Sequence, residues 1–123
     1  MERILVIYDD PGSKQTVRQI LEPAGYEVTI AASDQIAMDL IRATEAGLVI
    51  LDVCLPSKSS QDLCHQIRSK SGNVSLLVLS PITDVEEAVL FLKLGADGYI
   101  TKPFSPWELM ARIRAAMRRC GNS

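Results

Sequence analysis

No apolar run in this chain approaches the length of a membrane span: the longest, such as Leu76–Leu79, fall far short of the ~20 residues a spanning helix needs. Met1-Glu2-Arg3 passes straight into a strand-like run with neither an h-region nor a cleavage site, so no signal peptide is expected. A marked excess of charge of one sign is missing as well. A formal net charge of −2 gives no electrostatic footprint for nucleic acid or for an acidic partner. Cysteine is limited to Cys54, Cys64 and Cys120, an odd number with no CxxC pair, which points to reduced thiols in a cytoplasmic protein. His65 is the single histidine and falls mid-helix, so neither a phosphohistidine nor a serine–histidine nucleophile is supported. A glycine-rich phosphate loop is missing too, and nothing in the chain supports a turnover enzyme.

What is present is an alternation of short apolar runs with helical stretches. Ile4–Tyr8 (β1), Gly47–Leu51 (β3) and Val74–Leu79 (β4) are apolar almost without interruption. They lack period-2 alternation, which marks strands buried on both faces of a parallel sheet. Tyr26–Ala31 (β2) and Gly98–Thr101 (β5) complete a set of five. Between them, Val17, Ile20, Leu21 and Ala24 recur at helical spacing (α1) and Gly25 supplies a stop. Further helices are expected over Ser33 to Glu45 (α2), Gln61–Lys70 (α3) and Val85–Leu94 (α4). Ser105-Pro106-Trp107-Glu108 opens a fifth (α5) with a capping box and proline at the first helical position.

Five β-α units with right-handed crossovers give an α/β fold, a doubly wound five-stranded parallel sheet. In the flavodoxin-like order 2-1-3-4-5, ligands sit at the carboxyl ends of the strands, where strand order reverses. One domain over residues 1–119 is expected, with 120–123 as a tail or the start of a linker.

The strand ends hold Tyr8-Asp9-Asp10, Asp52, Ser80 and Thr101-Lys102-Pro103. Crowded carboxylates repel unless a cation joins them, and hard oxygen donors suit Mg²⁺. A lysine neutralises an incoming phosphate and a hydroxyl donates to its oxygens. Metal-assisted phosphoryl transfer to a carboxylate nucleophile is the chemistry this set suits.

In that order, Ile4-Leu5-Val6-Ile7, Asp9, Leu51-Asp52-Val53-Cys54-Leu55-Pro56, Leu79-Ser80 and Leu94-Gly95-Ala96-Asp97-Gly98-Tyr99-Ile100-Thr101-Lys102-Pro103-Phe104 resemble the receiver domain of two-component response regulators (CheY-like). The likeness runs from about Arg3 to Arg119 and is greatest to the OmpR/PhoB-type branch, whose receivers carry a winged-helix DNA-binding domain. It implies that Asp52 accepts a phosphoryl group from a histidine kinase. It implies that Mg²⁺ is held by Asp9, Asp52 and the Cys54 carbonyl, with Asp10 a further candidate that could equally face solvent. Lys102 would pair with the phosphate, Ser80 would bond it, and Tyr99 would act as the aromatic switch. Asp97, Glu108 and Arg112 match positions that pair two receivers through the α4-β5-α5 face, although Ala88 and Gly98 replace charged members of that code. A homodimer and a C-terminal DNA-binding domain outside this chain are therefore expected. Direct nucleic-acid contact by this domain and membrane association are not.

Three positions depart from the pattern. Tyr8 takes the place of the first acid of the family's acidic pair, and a neutral phenol cannot replace that charge, so weaker Mg²⁺ binding is expected. Ser60 stands where a turn glycine is usual, which leaves either a strained φ > 0 or a different loop path. Pro81 follows Ser80 in place of a small residue and offers no N–H. These keep open an alternative: a degenerate receiver that works by protein contact without phosphorylation.

Overall fold

The computed structural model of the chain describes residues 2–8, 14–31, 34–53 and 57–119, and among these the side chains of all but 14–16, 34, 35 and 119. Elements follow one another as β1 Arg3–Tyr8, α1 Lys14–Leu21 with a 3-10 turn Glu22–Ala24, β2 Glu27–Ala31, α2 Asp34–Thr44 and β3 Leu48–Asp52. Then come α3 Lys58–Lys70, β4 Ser75–Ser80, α4 Val85–Lys93, β5 Gly98–Thr101 and α5 Pro106–Arg119. The strands lie parallel in the order β2-β1-β3-β4-β5, the arrangement expected from the sequence. Among the described residues no helix is long and apolar enough to cross a membrane.

Burial on both faces explains why the strands show no polar alternation. Leu5, Ile7, Val49, Leu51, Leu76 and Val78 face Ala37, Ile41, Leu63, Cys64, Ile67 and Phe91 of α2, α3 and α4. The intervening Ile4, Val6, Leu48, Ile50, Leu77 and Leu79 face Val17, Leu21, Leu109, Ile113 and Met117 of α1 and α5. Each buried leucine or isoleucine contributes about 1.5–3 kcal/mol relative to exposure, so neither face can be turned to solvent.

Local chemistry sets the element ends. Gly25 takes φ 97 and returns its N–H to the Glu22 carbonyl, the stop read from the sequence. Ser105 accepts a hydrogen bond from the Glu108 amide at the start of α5. Helix α3 begins three residues before the expected Gln61, because Ser57 and Ser60 form a reciprocal capping box. Ser60 is thereby helical, and the strained φ > 0 that was one of two outcomes expected there is not realised.

The end of the sheet away from the rim is tied by Arg68 on α3. Its guanidinium donates to the carbonyls of Gly95 (2.9 Å), Gly72 (2.9 Å) and Val74 (2.9 Å) and to the Asp97 carboxylate (2.7 Å). Asp97 also accepts from the Leu76 amide (2.8 Å). Gly95, at φ 120, lets the arginine stem pass, since a Cβ there would lie 2.5 Å from the Arg68 Cβ. Arg68→Ala is expected to destabilise the chain by about 2 kcal/mol, because several main-chain acceptors lose a charged donor together. Urea denaturation checks this. A loss within a few tenths of a kcal/mol would mean that water substitutes for the guanidinium.

Candidate functional site

Strand parity carries the chemical side chains to the carboxyl edge of the sheet from two sides. Asp52 continues the series Leu48, Ile50 on the α1/α5 side, where Tyr8 also packs. Tyr8 and Asp52 are register partners at the ends of β1 and β3, so their side chains leave adjacent strands on the same side. Ser80 and Tyr99 belong to the opposite series, and the Tyr99 ring packs on the α2–α4 side, 6.0 Å from Phe91. The ladder continues past the strands: Val53 N–H donates to the Leu79 carbonyl (2.8 Å) and Lys102 N–H to the Ser80 carbonyl (2.8 Å).

That last bond fixes the lysine. Lys102 Nζ donates to Asp52 Oδ1 at 2.6 Å, fifty positions away in sequence. The carboxylate has no accessible surface and the lysine side chain is 16% exposed. An ion pair this short in so little water fixes both side chains, since either charge alone would carry a penalty of several kcal/mol. The Lys102–Pro103 peptide bond is cis.

Ser80 and Tyr99 meet at a main-chain group that the sequence did not disclose. The Ser80 hydroxyl accepts from the Ile82 N–H (3.2 Å), and the Tyr99 hydroxyl donates to the Ile82 carbonyl (2.8 Å). Pro81 has no amide to offer, so the next one along takes the serine. Burial raises the Tyr99 phenol above its ordinary pKa, and the neighbouring Ser80 hydroxyl opposes part of the rise.

Tyr8 departs furthest from the family's chemistry. Burial, and then the nearby Asp52 charge, push its phenol well above the ordinary value, with Arg18 acting in the other direction. The group stays protonated and uncharged, as expected of a phenol in the place of the family's first acid, and is a hydrogen-bond donor there. Its hydroxyl is enclosed and has no hydrogen-bond partner among the described residues.

Asp9, Asp10 and Cys54 lie outside the described residues. Among those described, no group of three or more His, Cys, Asp or Glu side chains gathers as a metal centre would require. Asp97, expected on a pairing face, is engaged within the chain by Arg68, and Glu108 and Arg112 face each other along α5 at 3.9 Å. Arg68 and Ile82 were missed by sequence reasoning. Their contacts run through main-chain groups, which leave no mark in side-chain spacing.

A doubly wound sheet with a lysine-held aspartate at its carboxyl edge defines a receiver-like switch domain. The comparisons with known proteins agree. A model of the response regulator receiver domain family matches residues 4–114. The chain is 38% identical over 118 residues to the DNA-binding response regulator MtrA of Mycolicibacterium smegmatis, covering 96% of this chain and 51% of that protein. It is 40% identical over 117 residues to the response regulator MprA of Mycolicibacterium vanbaalenii, covering 95% and 51%. The chain thus spans about half the length of the curated relatives it matches. Among solved structures, a CheY-like receiver domain protein from Methanospirillum hungatei superposes with a TM-score of 0.86 at 29% identity, covering 99% and 98% of the two chains. The BeF3-activated N-terminal receiver domain of Klebsiella pneumoniae RstA gives 0.85 at 27% identity, covering 95% and 99%. The chain belongs to the response regulator receiver domain family.

Removing the lysine tests the rim. Lys102→Met is expected to cost about 3 kcal/mol of stability by leaving the buried carboxylate without its ammonium. Lys102→Met combined with Asp52→Asn is expected to cost less than Lys102→Met alone. A double variant that costs as much as Lys102→Met and Asp52→Asn added together in chemical denaturation would show that the pair carries no coupling.

Proposed function

We propose that this chain accepts a phosphoryl group on Asp52 from the phosphohistidine of a sensor kinase and passes the change to a transcriptional output, attached or on a partner. The observation that carries the reading is the 2.6 Å contact between Lys102 and the buried Asp52. In the transfer, the donor's P–N bond breaks as a P–O bond to Asp52 forms, and the electron pair leaves with the imidazole, which gains a proton. Lys102 holds the carboxylate oriented for attack and remains beside it to neutralise the developing charge on the phosphoryl oxygens. Ser80 then supplies a hydroxyl to the group on Asp52. The domain carries its own phosphoryl group and is no turnover enzyme on external substrates. Transfer from a sensor kinase's phosphohistidine would take place in the cytoplasm.

The fully buried Asp52 carboxylate is a hard oxygen donor suited to Mg²⁺, and Asp9, directly after β1, with the Cys54 carbonyl would complete the set. When bound, the ion neutralises phosphoryl oxygens. The neutral Tyr8 phenol adds no charge to that set, so affinity is lower than where two acids adjoin. Val85, Val89 and Leu92 form an exposed apolar stripe along α4, and Glu108 and Arg112 lie exposed on α5. These favour pairing of two copies through the α4-β5-α5 face. Asp97 would join only by sharing or leaving Arg68.

One observation favours the second reading, contact signalling without phosphorylation: the Asp52 carboxylate has no accessible surface in the resting chain. Acetyl phosphate with Mg²⁺ separates the two. Mass spectrometry is expected to find one added phosphoryl group on wild type and none on Asp52→Asn. An unmodified wild type under conditions that label an ordinary receiver favours the contact module. For the metal, Tyr8→Asp is expected to tighten Mg²⁺ binding about tenfold, an effect of the size that outer-sphere partners have. Unchanged affinity in titration would remove Tyr8 as the cause of weak binding.

A further inference from the structure

An enclosed hydroxyl with no partner is costly, and in a native protein it asks for an explanation: an absent ligand, an ion, or a functional role. Tyr8 carries such a hydroxyl at the end of β1. Its neighbour across the strand pair, in register and on the same side of the sheet, is Asp52. The ring packs against the α1/α5 cluster and so is held in place. The residue is thus an oriented donor at the edge of the acceptor site, with nothing to donate to among the described residues.

We propose that the Tyr8 hydroxyl is a phosphoryl-binding donor, reserved for an oxygen of the group carried on Asp52. This rests on the reading of Asp52 as the acceptor. A carboxylate in the place of Tyr8 repels phosphoryl oxygens and is useful only through a cation between them. A phenol needs no intermediary, because it donates directly to an anionic oxygen in a charge-assisted hydrogen bond. The substitution that weakens the metal site therefore puts a different stabiliser in its place. The anion enters where Lys102 supplies one positive charge from β5, and Tyr8 approaches from the strand on the other side of Asp52. Among the described residues the hydroxyl has no acceptor at rest, and the anion would supply one, so it favours the occupied state over the empty one.

Beryllofluoride, the phosphoryl mimic, is the probe, titrated at saturating Mg²⁺ and followed by fluorine NMR on wild type and Tyr8→Phe. Loss of one charge-assisted hydrogen bond is expected to weaken beryllofluoride binding by Tyr8→Phe about tenfold, with Mg²⁺ affinity unchanged. In the absence of the anion, Tyr8→Phe is expected to melt at the wild-type temperature or a few degrees above it, because an unsatisfied hydroxyl has been removed. A merely structural tyrosine would move the melting temperature downward and leave anion affinity alone, and either result overturns the proposal. Wild type that takes neither beryllofluoride nor a phosphoryl group overturns the acceptor reading as well. Wild type that binds no more tightly than Tyr8→Phe overturns the hydroxyl alone.

Discussion

The contact between Lys102 and Asp52 holds together what the sequence keeps fifty positions apart. A carboxylate with no accessible surface costs several kcal/mol to bury, and only a close cation or several hydrogen bonds offset that cost. The cation arrives because β5 ends one residue before Lys102, whose amide is pinned to Ser80 on β4. Sheet register, chain ending and ion pair are thus one constraint. A shift of one residue in β5 would turn the ammonium to the other face of the sheet, away from Asp52. The apolar runs of β1, β3 and β4, buried on both sides, resist such a slip.

The rim is assembled from both faces of the sheet, and this matters for switching. Asp52, Lys102 and Tyr8 come from the α1/α5 side, while Ser80 and Tyr99 come from the other. A phosphoryl group on Asp52 replaces a single negative charge by roughly two and adds oxygens that reach across the strand ends. Lys102 would then face a larger anion, and Ser80, which accepts from the Ile82 amide, would gain an acceptor for its own hydroxyl proton. A coupling of a few kcal/mol between such states changes populations by orders of magnitude, which is the range that single charge-assisted bonds supply.

Much of this was legible in the sequence, for physical reasons that can be named. Strands buried on two faces advertise themselves by continuous apolar runs, so β1, β3 and β4 were read to within a residue at each end, and the Ser105-Pro106 start of α5 was read from its cap. Asp52, Ser80 and Lys102 were singled out because element order and strand ends fix where such side chains go, whereas Tyr99 came from the family resemblance alone. The start of α3 was misplaced because Ser60 was weighed as a turn residue, whereas its hydroxyl closes a capping box that usually carries Glu or Gln. Arg68 went unnoticed because three of its acceptors are carbonyls, which every residue has. Glu45 takes φ 52 at the end of α2, a position where glycine is the usual residue, and its side chain gave no hint of it. Asp9, Asp10 and Cys54 lie outside the described residues.

The route from rim to surface passes through one peptide. Ile82 gives its N–H to Ser80 and its C=O to Tyr99, and two residues later Asp84 caps α4 by accepting from the Glu86 amide. Pro81 stiffens the step between the strand and that peptide. A Ser80 hydroxyl that donates to a phosphoryl oxygen would still accept from the Ile82 amide, so a serine drawn toward the anion would draw that peptide with it. Tyr99 would follow the carbonyl to which its hydroxyl donates. Whatever displaces Ile82 is transmitted within a few residues to the start of α4, where Val85 begins the exposed stripe completed by Val89 and Leu92. The short loop leaves few torsions to absorb the change, so a rearrangement of about one hydrogen bond's length at the rim must reappear in the position of that apolar face.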